Sequence, residues 1–174
     1  NKYINYVSYL SFFPHITAGP ISRVNDFIPQ LSNVGKINYD NIFKGGRLIF
    51  FGLFLKIFIA DTLAISVSQI YGEPEKYSGA DLLFGSIFFS FQVYADFAGY
   101  SLIAIGSARC LGIYLKPNFN QPYLSQTIPE YWRNWHMTLS SWFNDYVFTP
   151  LAFNFRRRKL LGLFLSLIIT FALI

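Results

Sequence analysis

The run Tyr131-Trp132-Arg133-Asn134-Trp135-His136-Met137-Thr138-Leu139-Ser140-Ser141-Trp142-Phe143-Asn144-Asp145-Tyr146 holds all three tryptophans of the chain and one of its two histidines. An imidazole titrates near neutral pH, so it can take a proton from an alcohol as that oxygen attacks a carbonyl. On a helix of 3.6 residues per turn, Trp132, Trp135, Leu139, Trp142, Phe143 and Tyr146 form one apolar stripe, with His136 at its border. Arg133, Ser140 and Asn144 follow spacings of three and four, and share the polar flank of that histidine. Two readings are open from these residues alone. Trp and Tyr line any helix lying in a membrane interface, and a lone histidine beside apolar groups is commonly a satisfied structural residue. An ionisable group held at a membrane, however, is costly and is usually retained for function.

The element that must carry these groups is expected as one interfacial helix over about residues 128–148. Thr127 is its N-cap, Glu130 completes a capping box, Pro129 suits the first turn, and Pro150 ends it.

Composition places that helix in a membrane protein. Hydrophobic residues make up 53% of the 174, aromatics 20% and charged residues 13%, with 20 Phe. A soluble domain carries about 25% charged residues, so too few remain here for a water-facing surface. The net charge of +5 does not signal nucleic acid, because the basic residues flank long apolar runs instead of gathering on one soluble face. Cys110 is the sole cysteine, so neither an internal disulfide nor a cysteine metal site is expected, and no metal is assigned. The sequence opens without Met and closes in an apolar run, and is expected to be an internal fragment of a longer polytopic chain.

Along the chain, residues 3–18 are apolar and broken by Pro14, His15 and Gly19-Pro20, which fits a cut spanning helix or a re-entrant segment. His15 either lines a cavity or is a satisfied interfacial group. Residues 21–46 read as polar loop with short surface helices, Val24, Phe27, Ile28 and Leu31 having helical spacing. Spans are expected at about 48–70, 82–108 and, unfinished, 160–174. Within the first, Lys56 and Asp61 stand five apart, an imperfect spacing for a helical pair. Within the second, Asp96 must be paired, hydrogen-bonded, protonated or beside water, and is read as a supporting group. Loops 20–47 and 109–159 carry 4 and 7 Lys/Arg, against Lys76 alone in 71–81. That pattern puts the His136 helix near the cytoplasmic side of a multi-pass cell-membrane protein. The fold class is all-α, with interfacial and re-entrant helices.

Four stretches resemble a known family. They are Phe12-Phe13-Pro14-His15 through Ala18-Gly19-Pro20-Ile21-Ser22-Arg23; Asp96-Phe97-Ala98-Gly99-Tyr100-Ser101 with Ile105-Gly106; Asn118-Phe119-Asn120 with Pro122-Tyr123-Leu124-Ser125; and Trp132 to Ser140 with Trp142-Phe143 and Asp145-Tyr146. Together they resemble the membrane-bound O-acyltransferases, most closely the bacterial branch of alginate O-acetyltransferase membrane subunits and teichoic acid D-alanyl transfer proteins. The resemblance implies transfer of an acyl group to a hydroxyl, with His136 in the active site. A second histidine is expected in a later motif, beyond this chain. Arg133, Trp132, Trp135, Ser140, Asn144 and Asp96 are the expected supporting or substrate-binding residues. No tightly bound cofactor is implied; an acyl thioester, acetyl-CoA or an acyl carrier, would serve as substrate. Expected partners are the bilayer, that donor, and a polysaccharide or other hydroxyl acceptor, reached directly or through an extracytoplasmic transferase. O-Acetylation of an extracellular or cell-wall polysaccharide is the first reading and D-alanyl transfer to teichoic acid the second. A transporter or channel in which Asp61, Asp96 and His136 line a pathway is the alternative of another class.

Overall fold

The computed structural model describes residues 2–17, 19–31, 34, 38–154 and 159–173, and these divide into two compact units, Asn1–Pro117 and Asn118–Ile174. Secondary structure among the described residues is wholly helical. Arg156, Arg157 and Arg158, which belong to the basic loop 109–159, lie outside them together with Ala18 and Lys36.

The first unit is built on two long antiparallel helices. The first comprises α4 (Tyr39–Leu53), a π-helical segment Phe54–Ala60 and α5 (Asp61–Gly72); the second is α6 (Gly79–Cys110). Both are long and apolar enough to cross a membrane. Helix begins at Tyr39, not near Leu48, so residues 39–46 belong to the helix and not to the polar loop expected there. Local chemistry accounts for the earlier start, since the Asn38 side chain accepts the Asp40 N–H at 2.9 Å and caps the first turn. Helix α6 starts on a capping box in which Ser78 Oγ accepts the Asp81 N–H while the Asp81 carboxylate accepts the Ser78 N–H.

The two long helices meet through glycine. A Cβ placed on Gly52 would lie 2.6 Å from the Gly99 carbonyl oxygen, and one on Gly99 would lie 2.7 Å from that of Gly52. Gly45 and Gly106 repeat the relationship at 2.6 Å each way. Seven residues are close to two turns, so each pair of glycines falls on one face and the backbones come into direct contact there. Outward from that seam the helices present rings and branched chains: Phe50 is 75% exposed, Phe58 66% and Leu83 63%. A surface of that kind is suited to hydrocarbon and not to water.

The π-helical segment corrects the expectation about Lys56 and Asp61. Its turns are wider than α-helical ones, the Asp61 N–H reaching back to the Lys56 carbonyl, so residues five apart come to share a face. Lys56 Nζ lies 3.0 Å from Asp61 Oδ1 and 2.7 Å from Asp96 Oδ1 on α6. One ammonium thus serves two carboxylates midway along both helices, and Asp96 is paired, one of the outcomes its depth required. Replacing Lys56 by Met should leave two unpartnered carboxylates within the spans and lower the yield of folded full-length protein. The triple change Lys56→Met, Asp61→Asn, Asp96→Asn should recover much of that yield, because removing the whole charged cluster is tolerated better than removing one partner. Size-exclusion recovery in detergent reads both.

The remainder of this unit packs on the end of α6. Helices α1 (Lys2–Leu10), α2 (Phe13–Ile16) and α3 (Val24–Leu31) surround Phe27, which is 1% exposed and clusters with Ala108, Ile113 and Leu115. Helix α3 has the spacing read from Val24, Phe27, Ile28 and Leu31. It is tied to the segment after α6 by Gln30, whose amide exchanges hydrogen bonds with both main-chain groups of Tyr114, and by Lys116 to Asp26 at 2.6 Å. His15 is a satisfied group. Its Nε2–H donates to the Tyr9 carbonyl at 2.8 Å, which leaves Nδ1 to accept from the Ser22 hydroxyl, also at 2.8 Å. The rings of Tyr9, Phe12 and Phe27 enclose it, and that burial pushes its pKa below the ordinary value.

The second unit comprises α7 (Ile128–Asn134), α8 (Met137–Phe143), a π-helical turn Asn144–Phe148, α9 (Thr149–Asn154) and α10 (Lys159–Leu173). The single helix expected over 128–148 is therefore interrupted at Trp135-His136. Nor does Pro150 end it, because helical backbone runs from the π-helical turn through Thr149 and Pro150 into α9.

Candidate active site

Helix α7 begins as its sequence dictates. Thr127 Oγ1 accepts the Glu130 N–H at 3.2 Å, and the Glu130 carboxylate accepts the N–H of Gln126, one residue earlier than the capping box places it. Seven residues later the helix stops without a proline or glycine. The cause is tertiary. In a continuous helix the Met137 N–H would seek the Arg133 carbonyl, and the Asn134 carbonyl would receive the Thr138 N–H. Instead the Met137 N–H donates to the Asn118 carbonyl at 2.7 Å, and the Asn134 carbonyl accepts the Asn120 N–H at 3.0 Å. The segment Asn118-Phe119-Asn120 has captured the backbone groups on both sides of His136. Between these bonds His136 takes φ +42°, ψ +54°, the left-handed region, which costs a residue with a Cβ about 1 kcal/mol or more.

The break redistributes the aromatic stripe. Trp135 stacks on Tyr131 with centroids 5.7 Å apart and meets Phe119 edge-on at 5.1 Å, while Trp132 meets Phe171 of α10 edge-on at 5.5 Å. Trp142 packs on Phe143 and Tyr146. His136 is half-buried, its ring nearly parallel to that of Phe119 at 6.5 Å, and burial pushes its pKa below the ordinary 6.5. Burial thus favours the neutral imidazole, the form that can accept a proton.

The polar residues of the expected flank do converge, though not around the imidazole. Trp132, Arg133, Ser140 and Asn144 line a cleft of ≈ 710 Å³ with Met137, Phe143, Phe148, Leu167, Thr170 and Phe171, and His136 is not among its lining residues. Ser140 acts on the turn itself: its hydroxyl is shared between the carbonyls of Trp132 and Trp135 at 3.3 and 3.2 Å, and its N–H donates to the His136 carbonyl. Asn144 donates to Asp145 at 3.2 Å. Asp96 lies in the first unit on Lys56, as described above.

Reading from sequence missed the supports of the turn. Asn118, 1% exposed, accepts the Thr138 hydroxyl on its side-chain oxygen at 2.6 Å, and Thr138 is itself buried. The available signal was the pair of asparagines around Phe119, which marked a non-helical connection but not what it would grip. Among the described residues no cluster of His, Cys, Asp or Glu is disposed to hold a metal ion.

Comparison with known proteins agrees with these motifs. The model of the membrane-bound O-acyltransferase family matches residues 2–173. A probable alginate O-acetylase of Pseudomonas putida is 37% identical over 151 residues, covering 87% of this chain and 31% of that protein. A peptidoglycan O-acetyltransferase of Helicobacter pylori is 36% identical over 173 residues, covering 98% and 32%. A teichoic acid D-alanyltransferase of Bacillus subtilis is 34% identical over 162 residues, covering 87% and 39%. The chain thus spans about a third of the length of these relatives.

Proposed function

Because this chain belongs to the membrane-bound O-acyltransferase family, we propose that the full-length protein transfers an acyl group, most simply acetyl, to hydroxyls of an extracellular or cell-wall polysaccharide. His136 is the general base. Its neutral imidazole takes the proton of the acceptor hydroxyl as that oxygen attacks a thioester carbonyl. The new C–O bond forms, the C–S bond breaks, and the imidazolium returns the proton to the departing thiolate. The donor is acetyl-CoA or an acyl carrier, and no cofactor stays bound through the cycle. Arg133, Trp132, Ser140 and Asn144 line the adjoining cleft and orient substrate or turn, Trp135 forms the aromatic wall, and Asp96 supports the spans. The distribution of Lys and Arg supports a multi-pass protein with His136 near the cytoplasmic leaflet, where a thioester donor is available.

The observation that carries this reading is the half-buried imidazole on a turn held from outside its own helix. A residue sealed in packing could not meet substrate, and one facing lipid could not meet a hydroxyl.

A second reading, D-alanyl transfer to teichoic acid, is favoured by the Bacillus subtilis relative. Deleting the gene and measuring ester-linked groups on surface polysaccharide separates the readings. Loss of O-acetyl, restored by the wild-type gene, is the expected result. Loss of D-alanine instead supports the second reading. Unchanged esters with altered solute uptake would favour a transporter and overturn both.

A further inference from the structure

We propose that Asn118 and Thr138 are positioning residues for His136, together holding the left-handed turn that presents its imidazole. This rests on the reading of His136 as the base. A non-glycine residue at φ +42° is held there only when its surroundings over-determine the conformation. Here the surroundings are identifiable. The Asn118 carbonyl accepts the Met137 N–H at 2.7 Å, its side-chain oxygen accepts the Thr138 hydroxyl at 2.6 Å, and two residues on the Asn120 N–H closes on the Asn134 carbonyl at 3.0 Å.

These contacts straddle His136 from residues 134 to 138, and they come from one three-residue segment. Asn118 and Thr138 are 1% and 7% exposed, so water does not compete for their bond. Phe119, between the two asparagines, lays its ring beside the imidazole and sets its edge against Trp135. Threonine in the first turn of α8 is also well suited to the task, since its branched Cβ leaves few rotamers and the hydroxyl stays directed at Asn118. Loss of the Thr138 hydroxyl leaves the helix able to form but frees the turn to relax toward ordinary helical geometry. The imidazole would then move off its position and become better solvated.

The test uses full-length protein with Thr138→Val and Thr138→Ser. Thr138→Val is close in shape and lacks the hydroxyl; Thr138→Ser restores it. Thr138→Val should lower kcat on the order of tenfold to a hundredfold with KM little changed, as expected for a misplaced group. The acid limb of its pH profile should move up toward pH 6.5, because desolvation is what holds the pKa of His136 down. Thr138→Ser should approach wild type. Reaction of His136 with diethyl pyrocarbonate, followed by peptide mass spectrometry across pH 5–8, reports the same pKa without catalysis. Thr138→Ala serves the same comparison if Thr138→Val does not accumulate.

An activity loss matched by loss of folded protein, with an unmoved acid limb and unchanged modification of His136, would overturn the assignment. The two readings fail separately. Retained transfer in a His136→Ala protein removes the base, whereas the modification profile of Thr138→Val still tests the positioning.

Discussion

Replacing His136 by Ala in the full-length protein should reduce acyl transfer by about 10²–10⁴-fold, the range that a positioned general base contributes. Membrane insertion should be unaffected, and detergent stability unchanged or slightly lowered by loss of the ring's contact with Phe119. The native residue sits in the left-handed region, so alanine gives up an imidazole but inherits the same backbone strain. His136→Asn sharpens the comparison, since asparagine tolerates that conformation better than most residues yet cannot act as a base at neutral pH. Both variants should therefore lose transfer to a similar extent, with Asn the more stable of the two. In the wild type, kcat/KM should rise with pH through a limb lying below 6.5, because burial lowers the pKa and only the neutral ring accepts a proton. Transfer assays with isolated membranes at a series of pH values read all of this. Substantial transfer by His136→Ala would remove the residue from the mechanism.

The second large effect is on assembly. Gly52→Leu or Gly99→Leu should each destabilise the pair of long helices, because the Cβ alone would meet a main-chain carbonyl oxygen at 2.6 or 2.7 Å. Backbone cannot swing aside as a side chain can. Separating the helices also strips contacts from Gly45 and Gly106 two turns away and loosens the Lys56–Asp96 pairing across the same seam. Overpacking of a close interface costs about 1–3 kcal/mol and sometimes more, and here two contacts would be lost together. A lower midpoint of thermal aggregation in detergent and reduced recovery are expected. Gly46→Leu is the control, since a Cβ there meets nothing within 4 Å, and it should behave as wild type. Equal stability of Gly52→Leu and Gly46→Leu would refute the close approach.

Much of the architecture was legible from residue types. Runs of Leu, Ile and Phe with few charges specify two long apolar helices, whatever lies beside them. Thr127, Pro129 and Glu130 announce the start of α7 through main-chain groups only a few residues away. The motifs around Asp96, Asn118 and His136 identify the family, and the match over residues 2–173 agrees. These features are local, and local chemistry is written in local sequence.

What remained hidden depended on partners distant along the chain. Lys56 and Asp61 looked mismatched because an α-helical period was assumed; a π-helical segment, with Asp96 on the neighbouring helix, makes their spacing productive. The seven-residue spacing of Gly45 with Gly52 and of Gly99 with Gly106 is visible in the sequence, but only the folded pair shows that these glycines face one another. The most consequential difference is at His136. Periodicity from Trp132 to Tyr146 demanded an unbroken helix, and no proline or glycine argued against it. Residue pattern determined that the chain is helical and apolar, with His136 among polar and aromatic groups. Tertiary structure decided where that imidazole points, because main-chain hydrogen bonds from Asn118 and Asn120 outcompete the next helical turn.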